Sequence, residues 1–154
     1  MIDPLVRPAE PGDVPAMTAL VRAAYARYVE RIGREPAPMT ADYRAIVERG
    51  HGWVASAGPE LLGLLVLEPA ADHLLLENIA VSPAAQRQGV GAFLLGFADD
   101  EARRRRLPEV RLYTNAAMTE NRAYYPRHGY HETHRESTDG FDRVYFSKPV
   151  TAAG

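Results

Sequence analysis

A short glycine-containing segment, Gln86–Gly91, lies between an apolar run and a stretch of helical periodicity and reads Gln-Arg-Gln-Gly-Val-Gly. Glycines allow backbone N–H groups to approach a ligand closely, and a helix start adds unpaired donors and the positive end of a dipole. Together these features predict a site for a phosphate or pyrophosphate group. The alternative interpretation is a glycine-rich turn that only begins a helix.

Two well-known nucleotide-binding loops can be compared with this segment by their spacing. The dinucleotide-binding fingerprint needs a third small residue three positions after the second glycine, where this chain has Leu94. It also needs the glycines directly after the strand, whereas Ser82–Gln88 intervene here. The P-loop requires Gly-Lys followed by Ser or Thr, which this sequence lacks. Both loop types are therefore excluded.

A carboxylate lies within the apolar run that precedes this segment. Glu77 follows three leucines and is itself followed by Asn78 and Ile79. Burial disfavours a charged carboxylate, so burial would raise the pKa of Glu77 toward the working range of a general base. The alternatives are a glutamate on the solvent side of a half-buried strand and a glutamate held by an ion pair.

The remaining clusters of charged and imidazole side chains have structural interpretations. Arg103–Arg106 ends a predicted helix, where cations interact favourably with the negative end of the dipole. His128 is separated from the next histidine by Gly129, which interrupts the helix. On a strand, His131 and His134 would face opposite sides. No metal site is therefore predicted.

Composition and charge limit the class of protein. The chain has 154 residues, 46% hydrophobic and 25% charged, which favours one domain over residues 1–150 with a tail at 151–154. The net charge of −2 argues against nucleic acid or an anionic membrane as a partner. The absence of cysteine excludes disulfides and cysteine-ligated zinc, and the N-terminal residues lack a signal-peptide pattern. We expect a cytoplasmic protein without membrane spans.

Hydrophobic periodicity and turn residues predict the element order β-α-α-β-β-β-α-β-α-β-β. Apolar residues spaced three and four apart predict a first helix between Asp13 and Gly33, and Thr40 is expected to cap a short second helix that runs to about Glu48. The run His73–Val81 is almost continuously apolar, which predicts a central strand. The expected fold is α/β, with a mixed and mostly antiparallel sheet of about seven strands, about four helices, and a βαβ crossover in the middle. The other predicted strands are Ile2–Arg7, His51–Ser56, Leu61–Leu67, Glu109–Thr114, Tyr130–Glu136 and Phe141–Lys148, and the later helices run from Val90 to Arg103–Arg106 and from Thr119, as cap, to about His128.

Two blocks of the sequence resemble the GNAT superfamily of N-acetyltransferases. Its acyl-CoA signature is Q/R-x-x-G-x-G/A, which Gln86, Gly89 and Gly91 match. The preceding Leu76–Pro83 is similar to the fourth strand of that family, and Asn121–Tyr130 is similar to its N-x-x-A-x-x-(Y)-x-x-x-G-F/Y region in a compressed form. The order and separation of the blocks agree with the family over nearly the whole chain.

The resemblance implies an N-acetyltransferase that uses acetyl-CoA as co-substrate and needs no metal. The backbone amides from about Gln88 to Ala92 would hold the CoA pyrophosphate, and the pantetheine arm would pair with the backbone of Ile79 and Val81 between splayed strands 4 and 5. The family usually has Arg-Gly where this chain has Gln86 and Arg87, so Arg87 would point its charge either at phosphate or at solvent. The implied cofactor-binding residues are Ile79, Ala80, Val81, Gln86, Arg87, Gln88, Gly89, Val90, Gly91, Ala92, Asn121 and Tyr125.

The resemblance also implies catalytic roles. Tyr125 fits the position of the family's general acid, because a phenol with a pKa of about 10 stays protonated at neutral pH and can donate to a thiolate. Glu77 would act as the general base through a water molecule. A backbone N–H of the fourth strand, that of Ile79, would stabilise the oxyanion. The alternative for Tyr125 is an ordinary aromatic residue on a helix face.

The family pattern implies an acceptor site formed by the first two helices, their loop and the final hairpin. The acceptor would be a primary amine of a small molecule or a peptide, and transfer would be direct, in a ternary complex. The alternative from another class is a catalytically idle acyl-CoA-binding sensor or interaction module. Dimers are common in the superfamily, and a homodimer stays open. The implied acceptor residues are Tyr28, Arg31, Arg34, Glu35 and Glu77, with residues near Phe141 and Arg143.

Overall fold

Seven strands, five α-helices and two short 3-10 helices form within residues 4–151, the part of the chain that the computed structural model describes. The start of the first predicted strand at Ile2, and residues 152–154 of the predicted tail, lie outside these described residues. The strands are β1 (Leu5–Pro8), β2 (Gly52–Ala57), β3 (Glu60–Pro69), β4 (Leu74–Val81), β5 (Glu109–Asn115), β6 (His131–Thr138) and β7 (Phe141–Pro149). The helices are α1 (Val14–Ile32), α2 (Ala37–Thr40), α3 (Tyr43–Glu48), α4 (Val90–Arg104) and α5 (Thr119–Arg127), with 3-10 helices at Pro11–Asp13 and Pro83–Ala85.

The strands form one seven-stranded sheet in the order β1-β2-β3-β4-β5-β7-β6. The pairs β1–β2, β2–β3, β5–β7 and β7–β6 are antiparallel, whereas β4 and β5 are parallel. Helix α4 joins the two parallel strands, because such strands need a crossover connection. The predicted α/β fold, with its mixed and mostly antiparallel sheet and its central βαβ crossover, is confirmed.

The parallel pairing of β4 with β5 is short. Residues 74–76 pair in register with residues 110–112. Beyond this paired stretch β4 continues to Val81 and β5 to Asn115. The predicted splaying of these two strands stays a prediction.

The chain divides into two compact units, each built from two segments. Unit 1 contains residues 4–67 and 78–97, and unit 2 contains residues 68–77 and 98–151. The first half of β4 and the second half of α4 therefore belong to unit 2. The single domain over residues 1–150 that the sequence predicts stays a prediction.

Unit 1 has a core between α1, α3 and the first strands. The buried residues of α1 include Met17, Val21 and Tyr28, which lie on the face that the sequence periodicity predicts. Gly33 ends α1 with a φ of 91°, a left-handed conformation that glycine adopts without steric cost. The residues that pack with the α1 face are Met39, Tyr43, Ile46, Val47, Val54, Leu64, Val66 and Ala80.

Unit 2 has a core under one face of β5 and β7. Tyr125 of α5 contacts Phe146 of β7, with ring centroids 5.9 Å apart. Lys148 of β7 donates to Asp99 of α4 over 2.6 Å. Alternate residues of the two strands are buried, as expected for strands with one face on a core. These buried residues are Val110, Leu112, Thr114, Val144 and Phe146.

The helices differ from the sequence prediction at two starts. The predicted second short helix forms as α3, which ends at Glu48 as expected, but Thr40 is wrong as its cap, because Asp42 caps α3 by accepting from Ala45 N over 3.1 Å. Thr40 instead ends the additional helix α2, after which Ala41 is extended. The described residues therefore contain five helices rather than about four. Thr119 is the first residue of α5 rather than its cap. None of the helices within residues 4–151 is long and apolar enough to span a membrane.

Candidate functional site

The predicted phosphate loop, Gln86–Gly91, lies in unit 1 between the end of β4 and the first residues of α4, and it is held by its own side chains. Gln86 donates from its side-chain amide to the Val81 carbonyl over 3.4 Å, and Gln88 donates likewise to the Ala84 carbonyl over 3.3 Å. Gly89 has a φ of 86°, in the left-handed region that favours glycine. These contacts stabilise the turn that leads into the first residues of α4.

The start of α4 presents backbone N–H groups at the end of this loop. A backbone hydrogen bond runs from Phe93 N to Gly89 O over 3.0 Å, so the helical N–H groups before Phe93 have no α-helical carbonyl partner. Val90 is buried, Gly91 is half-buried and Ala92 is exposed. Unpaired N–H groups at the positive end of a helix are the donors that a phosphate group requires.

Arg87 has an unusual backbone within the same loop. Its φ is 67°, in the left-handed region, where a residue with a Cβ atom is disfavoured by roughly 1–2 kcal/mol. Its side chain is exposed and makes no hydrogen bond or ion pair within residues 4–151. Strain of this kind is often retained at functional positions. The guanidinium of Arg87 is therefore available to an anionic ligand.

The second half of β4 carries a polar network that the sequence analysis missed. Asn78 is buried with 6% exposure, and its side-chain amide donates to the Tyr43 hydroxyl over 3.0 Å. The Tyr25 hydroxyl lies 2.8 Å from Asn78 Oδ1 and 3.2 Å from the Ile79 carbonyl oxygen. The only sequence signal was a polar amide inside an apolar run. This network fixes the backbone of β4 where the resemblance implies pantetheine binding.

Four predicted acceptor residues lie in the last turns of α1 or shortly after its end at Ile32. Tyr28 is buried with 3% exposure, and the Arg31 guanidinium lies 5.1 Å from its ring centroid. Arg22 pairs with Glu35 over 3.6 Å, and Arg34 is exposed. Burial leaves little of Tyr28 for a ligand to contact. The substrate-binding role of Tyr28, Arg31, Arg34 and Glu35 stays a prediction.

Glu77 is exposed, so the argument that burial raises its pKa is wrong. Burial alternates along β4, and Glu77 occupies an exposed position between buried Leu76 and buried Asn78. The apolar run suggested burial of Glu77, but successive side chains of a strand point to opposite faces of the sheet. The role of Glu77 as a general base stays a prediction, now without the support of desolvation.

Asn121 lies in the first turn of α5, within unit 2. Its side-chain amide nitrogen is 3.3 Å from Thr114 Oγ1 and 3.5 Å from Met118 Sδ. Thr114 ends the buried face of β5, so these contacts tie α5 to that strand. The cofactor contact that the resemblance implies for Asn121 stays a prediction.

Tyr125 belongs to an aromatic cluster of unit 2. It is buried with 6% exposure, and its ring is 5.6 Å from that of Tyr124 and 5.8 Å from that of Tyr130. Burial chiefly, with Asp99 and Tyr125 as further causes, raises the pKa of Tyr130. Pro126 follows Tyr125, and α5 ends at Arg127, which fixes the helix end around the tyrosine. The ring of Tyr125 is thus held rigidly.

A second group of aromatic and charged side chains lies on the other face of β5 and β7. The Arg143 guanidinium is 4.5 Å from the ring centroid of Tyr113 and 5.7 Å from that of Phe141. Tyr113 packs beside Tyr145, with ring centroids 5.5 Å apart. Burial raises the pKa of the Tyr113 phenol, Arg143 opposes this rise and Glu77 adds to it. The sequence signal for Tyr113 and Tyr145 was their alternation with apolar core residues.

A family model described as the Acetyltransferase (GNAT) family matches residues 17–130 of the chain. The match begins in α1 and ends just after α5, so it contains the phosphate loop as well as Glu77, Asn121 and Tyr125.

Solved structures also resemble this chain over nearly its whole length. The ribosomal-protein-S18-alanine N-acetyltransferase of Escherichia coli is 24% identical, with 99% of this chain and 97% of that chain covered and a TM-score of 0.77. The PaiA N-acetyltransferase of Thermoplasma acidophilum, in complex with coenzyme A, is 18% identical, with 96% and 99% covered and a TM-score of 0.78. The N-acetylglutamate synthase of Neisseria gonorrhoeae, complexed with coenzyme A and N-acetyl-glutamate, is 18% identical, with 98% of this chain and 36% of that chain covered and a TM-score of 0.75. At these identities the likeness shows a shared fold.

Proposed function

The chain belongs to the acetyltransferase (GNAT) family, and from this premise we propose that it moves an acetyl group from acetyl-CoA directly to a primary amine of a small molecule or peptide. The observation that carries the proposal is the loop before α4, where the left-handed backbone of Gly89 precedes unpaired helical N–H groups. Such a loop fits an anionic group. Two structures with the same fold, from T. acidophilum and N. gonorrhoeae, are complexes with coenzyme A.

In this proposal the cofactor contacts are divided between backbone and side chains. The amides from Gln88 to Ala92 hold the pyrophosphate, and the exposed Arg87 guanidinium adds a positive charge. The backbone of Ile79 and Val81 pairs with the pantetheine arm. The β4–β5 register supports this arrangement, because its pairs lie at residues 74–76, ahead of Ile79 and Val81 on β4. Asn121 completes the set.

The proposed chemistry needs two proton movements. Glu77, through a water molecule, accepts the proton that the attacking amine loses as its nitrogen bonds to the acetyl carbon. Tyr125 donates its proton to the thiolate as the carbon–sulfur bond breaks. The backbone N–H of Ile79 stabilises the intervening oxyanion. The exposure of Glu77 supports a role through water, because a solvent molecule can reach its carboxylate.

The experiment that tests the acid role compares Tyr125→Phe with Tyr124→Phe. Loss of a general acid should lower kcat by about 10²–10⁴-fold, whereas the stabilisation of the protein by CoA in a thermal-shift assay should not change. Tyr124 is an adjacent, half-buried tyrosine, so Tyr124→Phe removes a similar hydroxyl and should keep kcat within a few-fold. Equal turnover of Tyr125→Phe and wild type would remove Tyr125 from the mechanism.

The same assay separates an enzyme from the alternative sensor. CoA binding together with thiol release in the presence of an amine supports the transferase, and CoA binding without thiol release for any amine supports the sensor. We also propose a cytoplasmic location, for which the absence of cysteine among 154 residues is the support. A homodimer stays a prediction that light scattering would test.

A further inference from the structure

Arg143 has an unusual environment on β7 of unit 2. Its side chain is half-buried, with the guanidinium close to the rings of Tyr113 and Phe141. Within residues 4–151 it makes no ion pair and no hydrogen bond. Partial burial of a cation carries a desolvation cost, which aromatic faces offset only in part. A negatively charged group at this position would offset the rest.

Arg143 lacks the counter-ion that a neighbouring arginine has. Arg135, on the adjacent strand β6, pairs with Glu132 over 2.9 Å. Glu136 lies opposite Arg143 in the β6–β7 register, yet its carboxylate is 3.4 Å from His134 Nε2. The nearest carboxylate in register is therefore directed to another partner, and Arg143 is left for a ligand.

The proposed base lies close to this cation. Residues 76 and 112 form the last parallel pair of β4 and β5, so Glu77 and Tyr113 come next on their strands. Tyr113 pairs with Tyr145, which is two residues from Arg143 on β7. The pKa of the Tyr113 phenol responds to both Glu77 and Arg143, which is consistent with this proximity. A carboxylate and an uncompensated guanidinium thus lie on either side of one tyrosine.

We propose that the Arg143 guanidinium binds a carboxylate of the acceptor, and that the acceptor is a free α-amino acid. The inference rests on the proposed function, because it takes Glu77 as the base that serves the amine. The N–H fork of a guanidinium matches a carboxylate in geometry and charge. Neighbouring strands lie about 4.8 Å apart, so β4 and β7 are separated by roughly 10 Å. A small acceptor that carries both an amine and a carboxylate, as an α-amino acid does, can address groups on strands at that separation, with a water molecule between its amine and Glu77.

The test measures kcat/KM for the common amino acids and for the corresponding amino acid amides, with release of the CoA thiol as readout. We expect wild type to prefer the free acid of its best substrate to the amide by at least tenfold. A hydrogen bond to a charged group is worth about 1.5–3 kcal/mol, so Arg143→Gln should lower kcat/KM for the free acid by roughly 10–150-fold. The same variant should leave the amide almost unchanged, and Arg143→Lys should retain part of the preference.

Arg135→Gln is the matched control, because it removes a nearby arginine that already has a carboxylate partner. It should keep the preference for the free acid. A wild type that favours amides or uses both equally, or an Arg143→Gln variant that slows both acceptors equally, would overturn the inference. CoA binding without acetylation of any free amino acid would overturn it too, while the CoA part of the proposed function stands. Failure to bind CoA would instead reject the proposed function itself, and the inference with it.

Discussion

Arg87 and Arg106 have the same unusual backbone at opposite ends of α4. Their φ values are 67° and 58°, and both side chains are exposed. Arg87 precedes the helix in unit 1, and Arg106 follows it in unit 2. The two loops therefore provide a comparison in which residue type, exposure and backbone conformation are held nearly constant, and only the surroundings differ.

The conformation of Arg106 is explained by how a helix ends. Leu107 N donates to Ala102 O over 2.8 Å, and Arg106 N donates to Arg103 O over 3.0 Å. A left-handed residue commonly closes a helix in this way, because it turns the last N–H groups back toward the free carbonyls. A cation is also favourable at the negative end of the helix dipole. Here the local structure accounts for the arginine in full.

The conformation of Arg87 has no such explanation. Its side chain makes no polar contact within residues 4–151, and it precedes the positive end of α4, where the dipole repels a cation. The family usually has glycine at this position, which would adopt the same φ without strain. The difference between the two loops teaches that a strained arginine is informative only where local structure leaves it unexplained. At Arg87 the partner that we propose is an anion.

The largest expected effect is a difference in affinity for CoA between the variants Arg87→Gly and Arg106→Gly. Loss of a charged contact to phosphate should weaken binding by Arg87→Gly by roughly 10–150-fold, from about 1.5–3 kcal/mol. Arg106→Gly should bind CoA as wild type does. Both variants should fold, because relief of strain of about 1–2 kcal/mol is offset by a glycine entropy cost of about 0.5–1 kcal/mol. Calorimetric titration measures the affinities, and equal affinities in the two variants would contradict the phosphate role of Arg87.

A smaller effect concerns the salt dependence of binding. Ions screen charges over about 10 Å at 0.1 M ionic strength, so the affinity of wild type for CoA should fall as salt rises. Arg87→Gln should flatten this dependence, whereas Arg87→Lys should keep it and lose only about two- to fivefold in affinity. Titrations at low and high salt measure the slopes. Parallel slopes for wild type and Arg87→Gln would mean that the charge of Arg87 does not reach the ligand.

The smallest effect concerns the stability of the Arg106 end. Glu101 is buried and pairs with Arg104 over 2.7 Å and with Arg105 over 2.9 Å, and the hydrogen bond from Arg104 is the chief cause of its lowered pKa. A carboxyl group whose pKa is lowered by folding stabilises the protein at pH values above its pKa in the unfolded chain, near 4.5. This stabilisation is lost as the pH falls through the pKa of the folded state. Glu101→Gln should therefore lower Tm by about 2–4 °C at pH 7.

The difference in Tm between Glu101→Gln and wild type should disappear in acid, at a pH below the pKa of Glu101 in both the folded and the unfolded protein. Asp100→Asn is the matched control, because Asp100 is an exposed carboxylate that pairs with Arg103 over 2.8 Å on the same turn of α4. It should change Tm less than Glu101→Gln does. A Tm difference for Glu101→Gln that is the same at pH 7 and in acid would show that packing, not charge, is what the glutamate supplies.

Much of the fold and part of the site could be predicted from sequence, because the signals are short in range. The periodicity that buries Met17, Val21 and Tyr28 repeats within one helix, and it located α1. The six residues Gln86–Gly91 predict a turn and the start of a helix. Their motif resembles the family that the match over residues 17–130 establishes. Local backbone geometry depends on local sequence, so these predictions succeeded.

Only the tertiary structure decided which side chains the strands expose and what they contact. Glu77 and Asn78 are adjacent in sequence, yet one is exposed and the other is buried against tyrosines more than thirty residues away. The environment of the Arg143 guanidinium likewise depends on neighbouring strands. Burial and charge pairing arise from contacts between residues far apart in the chain, and a linear pattern does not contain them. The sequence alone therefore determined most of the order of elements and the turn at Gln86–Gly91, while the tertiary structure decided the environment of the residues proposed to act on the acceptor.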